Sequence, residues 1–97
     1  MNTQPLNTYV AMDDGECKII YLPRASNTFQ AVQRLFPKNI VLETFIEGNT
    51  CILTVNHKTH VLGFTTFNLK TLRVAPTGCP LDQLNMAMVR DDLLREP

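Results

Sequence analysis

The clearest pattern in the sequence is an alternation of apolar and polar residues through the middle of the chain. The runs IVLETFIE and TCILTVNH flank Gly48-Asn49, and a second turn at Lys58-Thr59 leads into a third run. Successive side chains of a strand point to opposite faces, so this alternation predicts strands with one buried face. A Gly-Asn pair between such runs favours a two-residue turn. We therefore predict a three-stranded antiparallel meander here.

The two turns also predict the pairing register of the three strands. Glu47 pairs with Thr50 across the first turn, and the second turn pairs His57 with His60 and brings Leu53 opposite Phe64. The middle strand belongs to both hairpins, and both registers place the same side chains of this strand on one face. A slip by one residue at either turn would remove this agreement. The predicted apolar face comprises Ile40, Leu42, Ile46, Cys51, Leu53, Val55, Leu62 and Phe64.

The opposite face of the meander is predicted to be mostly polar. Its polar members are Glu43, Thr54, Asn56, Lys58 and Thr65. Phe45 and Ile52 are the exceptions, and the predicted register pairs them across two strands. An apolar pair on a solvated face indicates either contact with a partner or support of the sheet from its solvent side.

A further hairpin is predicted before the meander, with its turn at Asp14-Gly15, because Gly tolerates the positive φ that such turns need. A two-residue loop pairs Val10 with Ile19, Met12 with Cys17 and Thr8 with Tyr21. A three-residue loop would instead pair Val10 with Lys18. We favour the first register.

The segment SNTFQAVQRLFPKN has apolar residues at helical spacing and predicts an amphipathic helix. Its apolar stripe consists of Phe29, Val32, Leu35 and Phe36. Asn27 followed by Gln30 fits a capping box, and Ser26 is the alternative cap. Pro37 ends the helix.

The apolar residues after the meander change phase, which predicts a bulge or tight turn near residues 68–70 and LRVA as a last short strand. A second helix is then predicted to start at Pro80, a residue suited to the first helical position. At about 100° per residue, its apolar side chains form two ridges rather than one. One ridge is Leu81, Leu84 and Met88, and the other is Met86, Val89 and Leu93.

These elements predict one α+β domain over residues 1–97. Its antiparallel sheet has about five strands in the order β-β-α-β-β-β-α, and two helices pack on one face. The two ridges of the second helix are both buried in the domain, or one of them contacts a second chain. We favour the second interpretation and predict a symmetric homodimer. The predicted interface residues are Met86, Val89, Leu93, Phe45 and Ile52.

Charge and composition favour protein contacts over nucleic acid. The 97 residues include nine basic and nine acidic side chains, so the formal net charge is zero. Nucleic-acid-binding proteins usually carry a basic excess, and zero net charge makes self-association easier. A nucleic-acid-binding face formed by Arg24, Arg34 and Lys38 is the alternative function.

The candidate catalytic and metal-binding residues are few. Cys17, Cys51 and Cys79 are odd in number and widely spaced, which predicts reduced thiols in a cytoplasmic protein. Cys79 precedes a predicted helix but has no identifiable base. His57 and His60 flank a turn without a third ligand nearby. We also find no signal-peptide pattern, membrane-spanning run or phosphate-binding glycine motif. The sequence therefore predicts a non-enzymatic binding protein without metal or cofactor, a small regulator, inhibitor or accessory protein that contacts a second copy of itself and another protein.

Overall fold

The computed structural model describes residues 9–11 and 17–95 of the chain. The described strands are β1 (Tyr9–Ala11), β2 (Cys17–Leu22), β3 (Val41–Glu47), β4 (Thr50–His57), β5 (His60–Asn68) and β6 (Val74–Ala75). The helices are α1 (Asn27–Leu35), a 3₁₀ helix (Pro80–Gln83) and α2 (Met86–Leu93). The strands form one antiparallel sheet in chain order, β1 to β6. The predicted α+β class and order of elements are confirmed.

The hairpin register predicted for the start of the chain is confirmed where the structure describes it. Val10 pairs with Ile19, as the two-residue loop requires. The turn at Asp14-Gly15 and the pairings of Met12 and Thr8 lie outside the described residues.

The register between β3 and β4 is also confirmed, from the pairing of Glu47 with Thr50 to that of Leu42 with Val55. Because Gly48 has a φ of 60°, the turn residue adopts a backbone conformation that suits glycine.

The predicted register between β4 and β5 is correct at the turn and wrong beyond it. His57 pairs with His60, but the register shifts between Val55 and Asn56, so that Leu53 pairs with Thr65 instead of Phe64. Leu62 is the extra residue of a β-bulge, which inserts one residue into one strand only. The bulge therefore exchanges the predicted faces of Phe64 and Thr65.

The bulge changes which side chains of β5 enter the core. Phe64, predicted to be buried, is 45 % exposed, whereas Thr65, predicted to be solvated, is fully buried. Phe67 lies opposite Cys51 in the core. The predicted tight turn near residues 68–70 is present, because the Asn68 side chain accepts hydrogen bonds from the backbone N–H groups of Lys70 and Thr71.

Helix α1 begins one residue earlier than the preferred capping box predicts. Ser26, the alternative cap, is the N-cap, and its Oγ accepts a hydrogen bond of 3.0 Å from the N–H of Phe29. This satisfies one of the N–H groups that the first helical turn leaves without a partner. Phe29 and Val32 enter the core, but Leu35 remains largely exposed.

The predicted second helix is two short helices with a break between them. The backbone of Leu84 is extended, with ψ 154°, which ends the 3₁₀ helix. Asn85 then caps α2, since its Oδ1 accepts hydrogen bonds from the N–H groups of Ala87 and Met88. Within α2 alone, Met86, Val89 and Leu93 lie on one stripe of the helix. The two apparent ridges therefore arise from treating a broken segment as continuous.

All helices pack on the same face of the sheet and share one hydrophobic core. A buried contact joins the two α-helices: the Asp92 carboxylate accepts hydrogen bonds from the backbone N–H and the hydroxyl of Thr28, at 2.7 and 2.6 Å. Asp92 thus lies at the N-terminus of α1, where the partial positive charge of the helix favours a carboxylate. The other face of the sheet carries no described helix.

Candidate protein interface

The structure buries the three helix residues that the sequence suggested as an interface. Met86, Val89 and Leu93 are 5 %, 0 % and 4 % exposed within a single chain. Such side chains have almost no area left to contact a second chain. These three side chains therefore give no support to a subunit contact on this helix, because their apolar area belongs to the core.

The remaining two predicted residues, Phe45 and Ile52, lie where the sequence placed them. They pair directly across β3 and β4, and both are partly exposed. Phe45 also pairs with Ile19 on β2. The three side chains form a row across neighbouring strands on the sheet face opposite the helices, which we call the open face.

The apolar part of the open face extends beyond this row. Strand alternation and pairing place further large side chains on the same surface, toward the end of the sheet where β4 and β5 join. These exposed side chains are Tyr21, Val41, Val61 and Phe64. With the central row they cover four adjacent strands, β2 to β5. Glu43, Thr54 and Asn56 lie among these apolar side chains. A concentration of large exposed apolar side chains on one face is a feature of interaction sites.

The charged groups of the open face are mainly acidic. Glu43 lies between Tyr21 and Thr54 in the register of the sheet. Its carboxylate accepts a hydrogen bond from the Tyr21 hydroxyl, and this bond, the carboxylate charge and partial burial raise the pKa of the phenol. Glu47 lies further along the same strand, and Arg73 lies at the β6 edge beside Thr66.

The candidate catalytic and metal-binding residues do not converge in the described part of the chain. Burial raises the pKa of Cys51 to about 12, which leaves its thiol protonated at neutral pH and a poor nucleophile. The side chain of Cys79 lies against Gly63. His57 Nδ1 is 3.0 Å from the carbonyl oxygen of Asn39. Among the described residues, no three His, Cys, Asp or Glu side chains form a group that could hold a metal ion.

The cationic residues of the alternative nucleic-acid face are partly occupied by other contacts. The Arg24 guanidinium donates a 2.6 Å hydrogen bond to Asn39 Oδ1 and lies 5.7 Å from the centre of the Phe29 ring. This places it beside Lys38, the residue preceding Asn39. Arg34 is exposed in the last turn of α1. Arg24 thus contacts a residue of the first turn of α1, whereas Arg34 lies in its last turn.

Sequence reasoning missed the larger part of the open face for two reasons. Ile19 and Tyr21 join it because β2 lies beside β3, a pairing across the whole of α1 that no local turn signals. Phe64 joins it because of the bulge at Leu62. The available signal was the Phe45–Ile52 pair itself, which is partly exposed on this face.

The fold and this surface define a small two-layer α+β protein with one sheet face left open. Searches of known protein families, of curated protein sequences and of solved structures find no match to the chain. No helix in the described ranges is long and apolar enough to cross a membrane.

Proposed function

We propose that this protein is a non-enzymatic binding module that associates with a second copy of itself through the open face. The observation that carries the proposal is the set of apolar side chains on the open face of β2 to β5, in which Ile19, Phe45 and Ile52 form one row across neighbouring strands. Two such sheets can pack face to face at about 10 Å, with the side chains of their inner faces interdigitated. A homodimer of this kind buries the same patch on both subunits.

The size of the face is sufficient for a stable dimer. The molecule measures 36 × 30 × 23 Å. Standard interfaces cover about 800 Å² per partner, which a face of these dimensions can supply.

Two features of charge support a second copy over a strongly charged partner. The formal net charge of zero removes long-range repulsion between identical chains. The row formed by Ile19, Phe45 and Ile52 is uncharged, and the carboxylates of Glu43 and Glu47 flank Phe45 on either side along β3. Interfaces generally have an apolar centre depleted of charge and a more polar rim.

The same charges oppose nucleic acid on this face. Aromatic side chains on an open sheet can stack on bases, but phosphates require a positively charged surface beside them. Nucleic-acid binding through Arg24, Arg34 and Lys38 stays the alternative prediction.

Sedimentation equilibrium of the full chain tests the proposal. We expect a mass near twice the 11.0 kDa of one chain at high micromolar concentration. Phe64→Asp should shift the protein to monomer, because a carboxylate at a dry sheet–sheet contact is costly to desolvate. Leu35→Asp is the matched control, since Leu35 is 43 % exposed, as Phe64 is 45 %, but lies on α1.

Thermal unfolding of both variants shows whether they remain folded. A wild-type protein that is monomeric at high micromolar concentration would overturn self-association. An equal shift to monomer in Leu35→Asp would move the interface away from the open face. Retention of an oligonucleotide that Arg34→Gln releases would favour the alternative function.

A further inference from the structure

A groove on the helix side of the molecule is separate from the open face and has its own chemistry. It lies between strands β2 and β3, the turn at Gly48 and the end of α2, and its volume is about 380 Å³. This falls in the range of about 300–1,000 Å³ that small-molecule sites occupy. We propose that the groove binds a small amphiphile with one carboxylate head and a hydrocarbon tail.

The floor and walls of the groove are apolar. Ile20 and Leu93, both buried in the core, contribute part of its lining, and Ile46 and Leu69 contribute another part. Leu94 also lines the groove and is 77 % exposed, so a large apolar side chain faces water at this position. A hydrocarbon tail lying against these residues would remove apolar area from water, at roughly 25 cal/mol per Å².

The polar part of the groove is cationic. Lys18 and Arg90 both line it, and no acidic side chain is among its described lining residues. The Arg90 guanidinium donates one hydrogen bond, of 3.3 Å, to the carbonyl oxygen of Leu69. A guanidinium has five N–H donors in a planar fork, which can bind a carboxylate with two parallel hydrogen bonds.

The end of α2 favours a singly charged head over a doubly charged one. Leu94 is the C-cap of this helix, so the partial negative charge of the last carbonyl groups lies close to the groove. A carboxylate meets less repulsion from those carbonyls than a phosphate dianion does.

Calorimetric titration with decanoate tests the proposal, with decanol and decylammonium as ligands of equal tail length. Below their aggregation concentrations, we expect decanoate to bind at least about tenfold more tightly than decanol, because of its charge-assisted hydrogen bonds. Decylammonium should bind most weakly. Arg90→Gln should weaken decanoate binding by about tenfold and leave decanol binding unchanged. Arg34→Gln, a substitution on α1, is the matched control and should change nothing.

Methyl NMR spectra locate the binding site and separate this proposal from self-association. Decanoate should shift the methyl signals of Ile46, Leu69 and Leu94 and leave that of Ile52 on the open face in place. Leu94→Asp should abolish decanoate binding without unfolding the protein, since Leu94 is mostly exposed. Equal affinities for decanoate and decanol, unchanged binding by Arg90→Gln, or shifts confined to Ile52 would each overturn the proposal. The dimer mass is measured without decanoate, so either proposal can fail alone.

Discussion

The two faces of the sheet are built from alternate residues of the same strands, yet they differ in how far their apolar side chains are buried. On the helix side, Leu42, Leu53 and Val55 are completely buried. On the open face, their neighbours Phe45 and Ile52 keep part of their surface in water. Folding of one chain therefore uses the apolar residues of one face and leaves those of the other available for contact.

The polar side chains of the helix side are also buried and hydrogen-bonded. Thr44 and Thr65 are fully buried on the helix side. The Thr44 hydroxyl donates a hydrogen bond to the carbonyl oxygen of Ile20, and the Thr65 hydroxyl donates one to the Asp82 carboxylate. The bond from Thr65, with others from Thr77 and Gly78, lowers the pKa of Asp82. Within the described residues, no buried side-chain nitrogen or oxygen lacks a hydrogen-bond partner. The helix face is thus a core in which the buried polar groups are hydrogen-bonded, whereas the open face keeps apolar side chains in contact with water.

The largest expected contrast is between two phenylalanines on one strand. Phe67→Ala should lower the free energy of unfolding by about 3–5 kcal/mol, because it removes a buried ring from the core. Phe64→Ala should change it by about 0.5 kcal/mol or less, since this ring lies on the open face. Urea unfolding at low micromolar concentration, where association contributes least, measures both values.

This pair also tests the bulge at Leu62. A register without the bulge would turn Phe64 toward the helices. Similar losses of stability for the two variants would therefore contradict the strand pairing on which the open face depends.

A smaller effect is expected from the buried contact between the two helices. Asp92→Ala should lower the free energy of unfolding by about 1.5–3 kcal/mol, the usual contribution of hydrogen bonds to a charged group. The loss arises because the N–H and hydroxyl of Thr28 would stay buried without their acceptor. Asp91→Ala is the control, as Asp91 is exposed on the same helix and gains the same helix propensity. Equal stabilities of the two variants would show that Asp92 does not join the helices.

The parts of the fold that the sequence predicted well are those fixed by local signals. The Gly48-Asn49 turn determines the register from Glu47–Thr50 to Leu42–Val55, because a slip would place apolar side chains in water. The bulge in β5 has no such signal. Val61, Leu62 and Phe64 satisfy a regular alternation nearly as well as a bulged one, and packing against the helices decides between them.

The C-terminal helices show the opposite kind of error, in which a local signal was present but not used. Asn85 is a good N-cap residue in the middle of an apolar segment, and it marks the start of α2. Treating Pro80 to Leu93 as one helix spread its apolar residues around the cylinder. With a break at Leu84, Met86, Val89 and Leu93 form one buried stripe of α2. They therefore do not form a second apolar ridge open to a partner.

One pair of the candidate site was predictable from the sequence, and its neighbours on β2 were not. Phe45 and Ile52 follow from the β3–β4 hairpin, which is local in sequence. Ile19 and Tyr21 depend on β2 pairing with β3 across an intervening helix. Such a nonlocal pairing is determined by the packed fold as a whole, and the sequence pattern of either strand alone does not reveal it.

The smallest expected effect is a spectroscopic one on the open face. The hydrogen bond and charge of Glu43 raise the pKa of Tyr21 above its ordinary value of 10.0, so Glu43→Gln should lower it toward that value. The ultraviolet absorbance of tyrosinate, measured in a Tyr9→Phe background, follows this titration, and Glu47→Gln is the control. Since the folded protein holds this proton more tightly than the unfolded chain does, the resulting stability is present below pH 10 and decreases as pH rises through the folded pKa.

The same titration sharpens the comparison of the two faces. If two copies bury the open face against each other, Tyr21 loses further contact with water, and desolvation raises the pKa of a phenol. The pKa of Tyr21 should then rise with protein concentration in the wild type and stay constant in Phe64→Asp. A pKa independent of concentration in a protein that sediments as a dimer would place the dimer contact on another surface, because an ionisable group inside the contact must respond to its formation.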